Sequence, residues 1–505
     1  MTGPYQPETV PDACAAAQRA FLRWSALSAV DRAGTLRAVA GALDAQRDDI
    51  IVATAAETAL FPDELAPEFS RMTGTLRQFA DAVERGSWHI PAIDHAAKPG
   101  TPGLVGPGHD VRRTLLPLGP VAVFGASNFP LAYGVMGGDT ASSLAAGCSV
   151  VVKEHPAHPR TGRLIHTIAA AALEGASGVA GVLSYVANED PADHGVAKGL
   201  VQHPAIAAVG FTGSIPGGLA IERIARERAV PIPVFAEMGS VNPVFITPGA
   251  MDARGGAIAD MVADSVLMRH GQQCTCPGVV FFAKSDQSPA FAARLRERFE
   301  KSAFRAMLAL WVRDAYNRRN NEIEESGAAS LEAFSQAGSP MGPGPVAQAH
   351  VWGTVLHQWN TVPVLREECF GPSMIFVVMP SWEDQATAVL SGSLTLSIFF
   401  DENDAADTAR AREVLNRHAA IAGRIVFNGV PTGVRVAPGM VHSGPFPACN
   451  RPDSTAVGPH AIARWCRPVC FQNCPGVLLP TELQIANPMG LTRGIDGVVS
   501  RSPAP

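Results

Sequence analysis

Short β-rich runs alternate with helical stretches twice along this chain, and that alternation leaves few folds open. Val121-Ala-Val-Phe124 leads into the turn Gly125-Ala-Ser-Asn-Phe-Pro130, and a small-residue helix follows from Gly138 to Gly147. Ser149-Val-Val-Val-Lys153 is a second strand, 161–175 a helix, Gly181–Val186 a strand and Ala205–Thr212 another. A helix over 216–229 and the run Val234-Phe-Ala-Glu237 complete the first series. A second series then begins, with a helix over 250–270, a strand over 279–283, a helix over 288–310, a strand over 374–378, a helix over 403–418 and a strand over 424–428. Strands separated by helices must run parallel, because only a helical crossover returns the chain to the same edge. Two doubly wound parallel-sheet units are therefore expected, in an α/β protein. Residues 10–85 read as helical, and 90–110 is rich in Pro and Gly, as in a loop or edge segment.

At 505 residues the chain is too long for one core, so two or three domains are expected. A composition 47% hydrophobic and 17% charged excludes a disordered chain. A net charge of −6 gives no basic field for nucleic acid or an anionic membrane surface. No uncharged apolar stretch of roughly 20 residues offers a membrane span. The first residues hold no basic stretch before an apolar run, so no signal peptide is expected. Nine cysteines, an odd number, read as free thiols of a reducing compartment, and the cytoplasm is the expected location.

Several motifs carry chemistry, each beside a plainer reading. Gly271-Gln-Gln-Cys-Thr-Cys-Pro-Gly278 sets two thiols in a tight loop, and an ionised thiol is a strong nucleophile toward carbonyls. Gly210-Phe-Thr-Gly-Ser-Ile-Pro-Gly-Gly218 runs from a strand through a glycine-rich turn into a helix, where backbone amides bind phosphate. Read alone it is equally a structural turn. Glu237, just after an apolar strand, suits a general base, although an ordinary solvated or paired glutamate is commoner. Asn128, in the first turn, has an amide able to donate to an oxyanion, although most such asparagines only shape turns. Lys153 ends a strand and reaches either ribose and phosphate or plain solvent. Cys466, Cys470 and Cys474 are regularly spaced but interrupted by proline and lack a histidine, so no metal is expected there.

In this order the stretches resemble the aldehyde dehydrogenase superfamily along nearly the whole chain. They are Ser127-Asn-Phe-Pro130, Val152-Lys153, Phe211-Thr-Gly-Ser214 with Gly218, Glu237-Met-Gly239, Gly271-Gln272 with Cys274, and Glu368-x-Phe370-Gly-Pro372. Lys153-Glu-His-Pro-Ala-His-Pro159 and Phe427-Asn-Gly-Val-Pro-Thr-Gly433 are similar to the branch of 2,5-dioxovalerate (α-ketoglutarate semialdehyde) dehydrogenases, which also holds an NADP-dependent fatty aldehyde dehydrogenase.

The resemblance implies that Cys274 is the nucleophile, Asn128 and the Cys274 amide the oxyanion donors, and Glu237 the base that activates water. It further implies that Gly213, Ser214 and Gly218 lie beside the pyrophosphate, Lys153 at the adenosine ribose, and Glu368 with Phe370 at the nicotinamide ribose and ring. Pro156 stands where many NAD-preferring relatives carry an acid, so NADP is expected over NAD, with Glu154 a nearby charge that would oppose a 2′-phosphate. Arg71 is the candidate for a substrate carboxylate, against the plainer reading of a helix-surface arginine. Cys276 departs from the branch pattern and is either inert or a redox partner of Cys274.

Residues 1–235 are expected to form the coenzyme domain, 236–435 the catalytic domain, and 90–116 with 436–505 an oligomerisation element, in a homodimer or homotetramer. The expected reaction turns 2,5-dioxovalerate into 2-oxoglutarate. The alternatives are a broad or fatty aldehyde dehydrogenase, and a catalytically idle homologue kept for structure.

Overall fold

The computed structural model describes residues 8–98, 103, 105–188, 194–341 and 344–503. The start of the chain, on which the signal-peptide expectation rests, and parts of 90–116 lie outside those residues.

Four helices open the chain: Val10–Trp24, Ala29–Asp44, Arg47–Glu57 and Pro62–Arg85. Thr9 and Ser28 cap the first two by accepting from Asp12 N and Asp31 N. Their apolar faces cover one side of a five-stranded, wholly parallel sheet. Across that sheet the strands are Leu183–Val186, Val150–Lys153, Val121–Phe124, Ala208–Thr212 and Val234–Glu237. The chain thus starts in the middle, winds outward to one edge, and returns to build the other. The two central strands mark the point where the winding reverses, and their carboxyl ends diverge into a crevice.

A seven-stranded sheet holds Ser330–Phe334, His350–Val355, Ser373–Met379, Val279–Ala283, Val244–Ile246, Ser393–Phe399 and Ala422–Phe427. All pairings are parallel except that of the edge strand Ser330–Phe334 with His350–Val355. Two apolar clusters sandwich it, one built on Pro248–Leu267 and Ser288–Glu300, the other on Trp352, Trp359 and Val414. The helix expected over 288–310 stops at Glu300. Ala303–Ala306 is a strand, and Leu310–Glu325 is a separate helix. Ser302 breaks the run by folding its hydroxyl back to the Phe299 carbonyl, as serine does at helix ends.

A third sheet joins distant parts of the chain, in the order Cys466–Gln472, Val111–Pro117, Ala92–Asp94, Arg493–Ile495 and Val498–Ser500. Among the described residues, no helix is long and apolar enough to cross a membrane.

Candidate active site

The two central strands of the five-stranded sheet deliver the first parts of the site. Phe124 runs into the turn that carries Asn128, and Thr212 into Gly213 and Ser214. Ser214 caps the helix Ile215–Arg226 by accepting from Gly217 N at 3.3 Å, leaving other first-turn amides free for an anion. A Cβ at Gly218 would lie 2.6 Å from Met238 Sδ, so only glycine lets this helix sit so close to the chain after Glu237. Gly213 N donates to the Glu237 carbonyl at 3.0 Å, closing the turn over the sheet's end.

Lys153 sits at the end of its strand, partly covered, and burial holds its ammonium below the usual lysine range. Glu154 is buried and paired with Arg163 at 2.7 Å, and it also accepts from Asn188 N. The charge that would oppose a 2′-phosphate is thereby neutralised. Glu368 and Phe370 line a cleft of about 440 Å³ together with Ser240 and Cys276. Glu368 accepts from Ser240 N at 3.1 Å. Burial, with Glu237 adding its repulsion, pushes its carboxyl up to about 7. A glycine-walled helix start, a strand-end lysine and a carboxyl without a cationic partner together suit a dinucleotide with hydroxyl-rich riboses.

Cys274 follows a backbone that few residues adopt. Arg269, His270 and Gly271 are all left-handed, with φ of 49°, 55° and 66°. A Cβ at Gly271 would fall 2.1 Å from the Gly371 carbonyl oxygen, so glycine alone lets the loop touch the turn after Phe370. Asn242, fully buried and itself left-handed at φ 50°, holds the far side of the loop. Its amide donates to the carbonyls of Cys274 at 2.8 Å and Cys276 at 3.0 Å, and its oxygen accepts from Ser240 Oγ and Thr395 N. The Asn128 amide donates to the Gln272 carbonyl at 3.1 Å, which places it beside the same loop with its second N–H unspent.

The Cys274 thiol lies 3.8 Å from His442 Nε2, and that nitrogen lies 3.3 Å from Glu237 Oε1. His442 gets there because the tail runs beside the strand Val234–Glu237. Ala236 N donates to Asn450 Oδ1, Asn450 Nδ2 to the Val234 carbonyl, and Met238 N to the Ala448 carbonyl. Burial lifts the Cys274 thiol well above its usual range, and the Glu237 carboxylate adds to the rise. Burial also pushes Glu237 up, but the charge and hydrogen bond of His442, with help from Cys274 and Arg464, outweigh it and hold the carboxylate below its usual range. The resting centre therefore gathers a protonated thiol and an ionised carboxylate around the His442 ring.

Cys276 shares the loop but packs differently from Cys274. Its side chain packs in the core against the helix Pro248–Leu267, whereas Cys274 packs on Leu394, Ala448 and Cys449. All nine cysteines are free thiols.

Arg71 is more than a surface residue. Its guanidinium donates to the Tyr133 hydroxyl at 2.9 Å and lies 5.3 Å from that ring's centroid. Its charge acts on both Tyr133 and Cys274. Arg424 is bonded to Thr395 Oγ1 and the Pro431 carbonyl, and it too feels Cys274 and Tyr133. Among the described residues neither arginine has an acidic partner. Sequence reading missed His442, Asn242 and Arg424. A lone histidine in a tail carries no local signal, whereas the strand edge beside it does.

Comparison with known proteins places the chain among relatives of similar length. The chain is similar to alpha-ketoglutaric semialdehyde dehydrogenase 2 of Azospirillum brasilense, 40% identical over 491 residues that cover 97% of this chain and 91% of the relative. Alpha-ketoglutaric semialdehyde dehydrogenase of Acinetobacter baylyi is 38% identical over 505 residues, covering 98% and 92%. In fold it is similar to lactaldehyde dehydrogenase from Escherichia coli, with a TM-score of 0.76, 19% identity, and coverage of 93% and 92%. With residues 4–400 matching the family model as well, the thiol, carboxylate and crevice described above are those of a chain that belongs to the aldehyde dehydrogenase family.

Proposed function

We propose that this enzyme oxidises 2,5-dioxovalerate to 2-oxoglutarate through a thioester on Cys274. Enzymes of the family use NAD(P), and NADP is the preferred form here, because Pro156 offers no acid to the ribose and Glu154 is already paired with Arg163.

The steps follow from the residues. His442, at 3.8 Å, takes the Cys274 proton while Glu237 steadies the imidazolium. The thiolate adds to the aldehyde, and the free N–H of Asn128 with the Cys274 amide carries the oxyanion. Lys153 and the Gly213–Gly218 turn hold the coenzyme, with Glu368 and Phe370 at its nicotinamide end; when bound, it supplies the acceptor for the hydride. Glu237 then draws a proton from water, which attacks the thioester and frees the acid. Release as a free acid needs that base, and the closeness of Glu237 to His442 and Cys274 supports it in that role.

One observation carries the substrate: two guanidiniums that have no acidic partner among the described residues, Arg71 and Arg424, both act electrostatically on the thiol, and Arg71 also holds the Tyr133 hydroxyl. A carboxylate at the far end of the aldehyde gives them the anion they lack. A long apolar aldehyde would leave both cations facing hydrocarbon, at a cost.

The five-stranded sheet serves as the coenzyme unit and the seven-stranded sheet as the catalytic one. The third sheet mediates self-association, supported by its exposed edge residues Val498 and Val499. The free cysteines suit a cytoplasmic enzyme.

The test is a panel of 2,5-dioxovalerate, glutarate semialdehyde, hexanal and decanal with each coenzyme. Hydrogen bonds to a charged group are worth about 1.5–3 kcal/mol, so the two acids should exceed the alkanals about 10–100-fold in kcat/KM. Equal rates on all four would sink the substrate assignment, and faster NAD turnover would reverse the coenzyme preference.

A further inference from the structure

The groups that do the chemistry also form a ligand set. Among the described residues, the donor atoms of Glu237, Cys274 and His442 lie within 4.8 Å of one another. Sulfur and nitrogen lie 3.8 Å apart, and nitrogen and oxygen 3.3 Å apart. Tetrahedral zinc, with Zn–S of about 2.3 Å and Zn–N and Zn–O of about 2.0–2.1 Å, places sulfur and nitrogen ~3.6 Å apart and nitrogen and oxygen ~3.3 Å apart. The site matches both separations to about 0.2 Å, and sulfur and oxygen lie within 4.8 Å of each other. A second observation points the same way: Glu237 Oε2 is buried without a hydrogen-bond partner. A buried acceptor left unpaired is costly, and a cation would satisfy it.

The donor types also fit. A thiolate and an imidazole favour zinc, cadmium or cobalt over magnesium or calcium, which take oxygen ligands. Thiolate and carboxylate together carry two negative charges, which a divalent cation balances. Cys466, Cys470 and Cys474 differ, since among the described residues they belong to no such converging group.

We propose that Cys274, His442 and Glu237 bind one thiophilic divalent cation of the zinc class, and that its binding arrests the enzyme. On binding, the Cys274 thiol loses its proton to water, His442 coordinates through Nε2, Glu237 through a carboxylate oxygen, and water takes the fourth position. No electron is transferred. The cation is an inhibitor and not a resident cofactor, because it occupies the nucleophile's sulfur and the base together. That arrest rests on the reading of Cys274 as the nucleophile; the binding does not.

The test uses the full chain and zinc alone, buffered by a competing chelator. One zinc per chain should bind, turnover should fall in step with occupancy, and excess chelator should restore it. His442→Ala, backed by His442→Asn, should weaken zinc by more than the ~10–100-fold that loss of an outer-sphere partner costs. Cobalt should give a thiolate-to-metal charge-transfer band that Cys274→Ser abolishes. Cys470→Ser, at an exposed thiol away from the site, should leave zinc affinity unchanged.

Wild-type zinc affinity in both His442 variants, a cobalt band that survives Cys274→Ser, or loss of zinc binding in Cys470→Ser would overturn the site. If zinc binds as expected but Cys274→Ser keeps full turnover, the site stands and the catalytic reading falls.

Discussion

Glu368 offers a sharp test, because one atom exchange separates its charge from its shape. Its carboxyl rises from 4.5 to about 7 on folding, with burial the main cause. Below about pH 4.5 the group is neutral in both folded and unfolded chains and contributes nothing. Between about 4.5 and 7 the folded chain keeps the proton that the unfolded chain has lost, so stability falls as pH rises. Above about 7 both are ionised, and the full cost, about 3 kcal/mol, is present. Glu368→Gln keeps the acceptor for Ser240 N and removes the titration. The variant should therefore gain on the wild type by about 2.5 kcal/mol between about pH 5 and pH 8. Part of the side chain faces the open cleft, so this figure is an upper bound. Urea unfolding of both proteins at each pH, at one protein concentration, measures the difference. The coenzyme KM should fall through about pH 7 in the wild type, as the carboxylate forms, and stay flat in Glu368→Gln. A stability difference that does not change with pH would refute the burial argument.

Three further substitutions probe the centre. Glu237→Gln keeps an oxygen beside His442 but loses the deacylating base, so the first, thiol-dependent burst of NAD(P)H should keep its amplitude while steady turnover slows by about 10²–10⁴-fold; loss of the burst itself in rapid mixing would contradict that division. Asn242→Ala removes the side chain that holds two carbonyls of the nucleophile loop from a left-handed backbone, and should cost about 2–4 kcal/mol in thermal or urea unfolding, with kcat falling more than coenzyme KM. Arg424→Gln should raise KM for 2,5-dioxovalerate about 10–100-fold while leaving hexanal nearly unchanged, and equal effects on both would place Arg424 outside the carboxylate site.

What could be read from the sequence was what is local. Val121–Phe124, Val150–Lys153 and Val234–Glu237 announce themselves because buried parallel strands read as unbroken apolar runs. Asn128 and Ser214 follow such strands directly, so their turns could be placed from the text. The strands His350–Val355 and Ser393–Phe399 were not separable, since Gly353 and the alternating Ser393, Thr395 and Ser397 dilute the apolar signal. Those polar side chains are buried all the same, and Thr395 bonds to Asn242 and Arg424. His442 was unreadable for a different reason: its partner strand, Val234–Glu237, lies about two hundred residues upstream, and pairing at that range leaves no mark in a single sequence.

The nucleophile loop shows why the distant parts matter. Three successive left-handed residues before Gln272 include two with side chains, each costing about 1–2 kcal/mol in that conformation. A loop of that kind relaxes unless something outside it fixes the shape. Glu68, from the opening helices, does so. It is buried, pairs with Arg269 at 2.6 Å, and accepts from Leu131 N and Ala132 N, three and four residues after Asn128. Arg269 also stacks 4.2 Å from the Phe129 ring centroid, and His270 bonds to the Ala347 carbonyl. One carboxylate thus ties the strained loop that presents Cys274 to the turn that presents Asn128. In the proposed mechanism, attack and oxyanion capture need those two groups in a fixed relation, and neither loop holds it alone. The opening helices, which contribute no reacting atom, set the geometry on which the reaction depends.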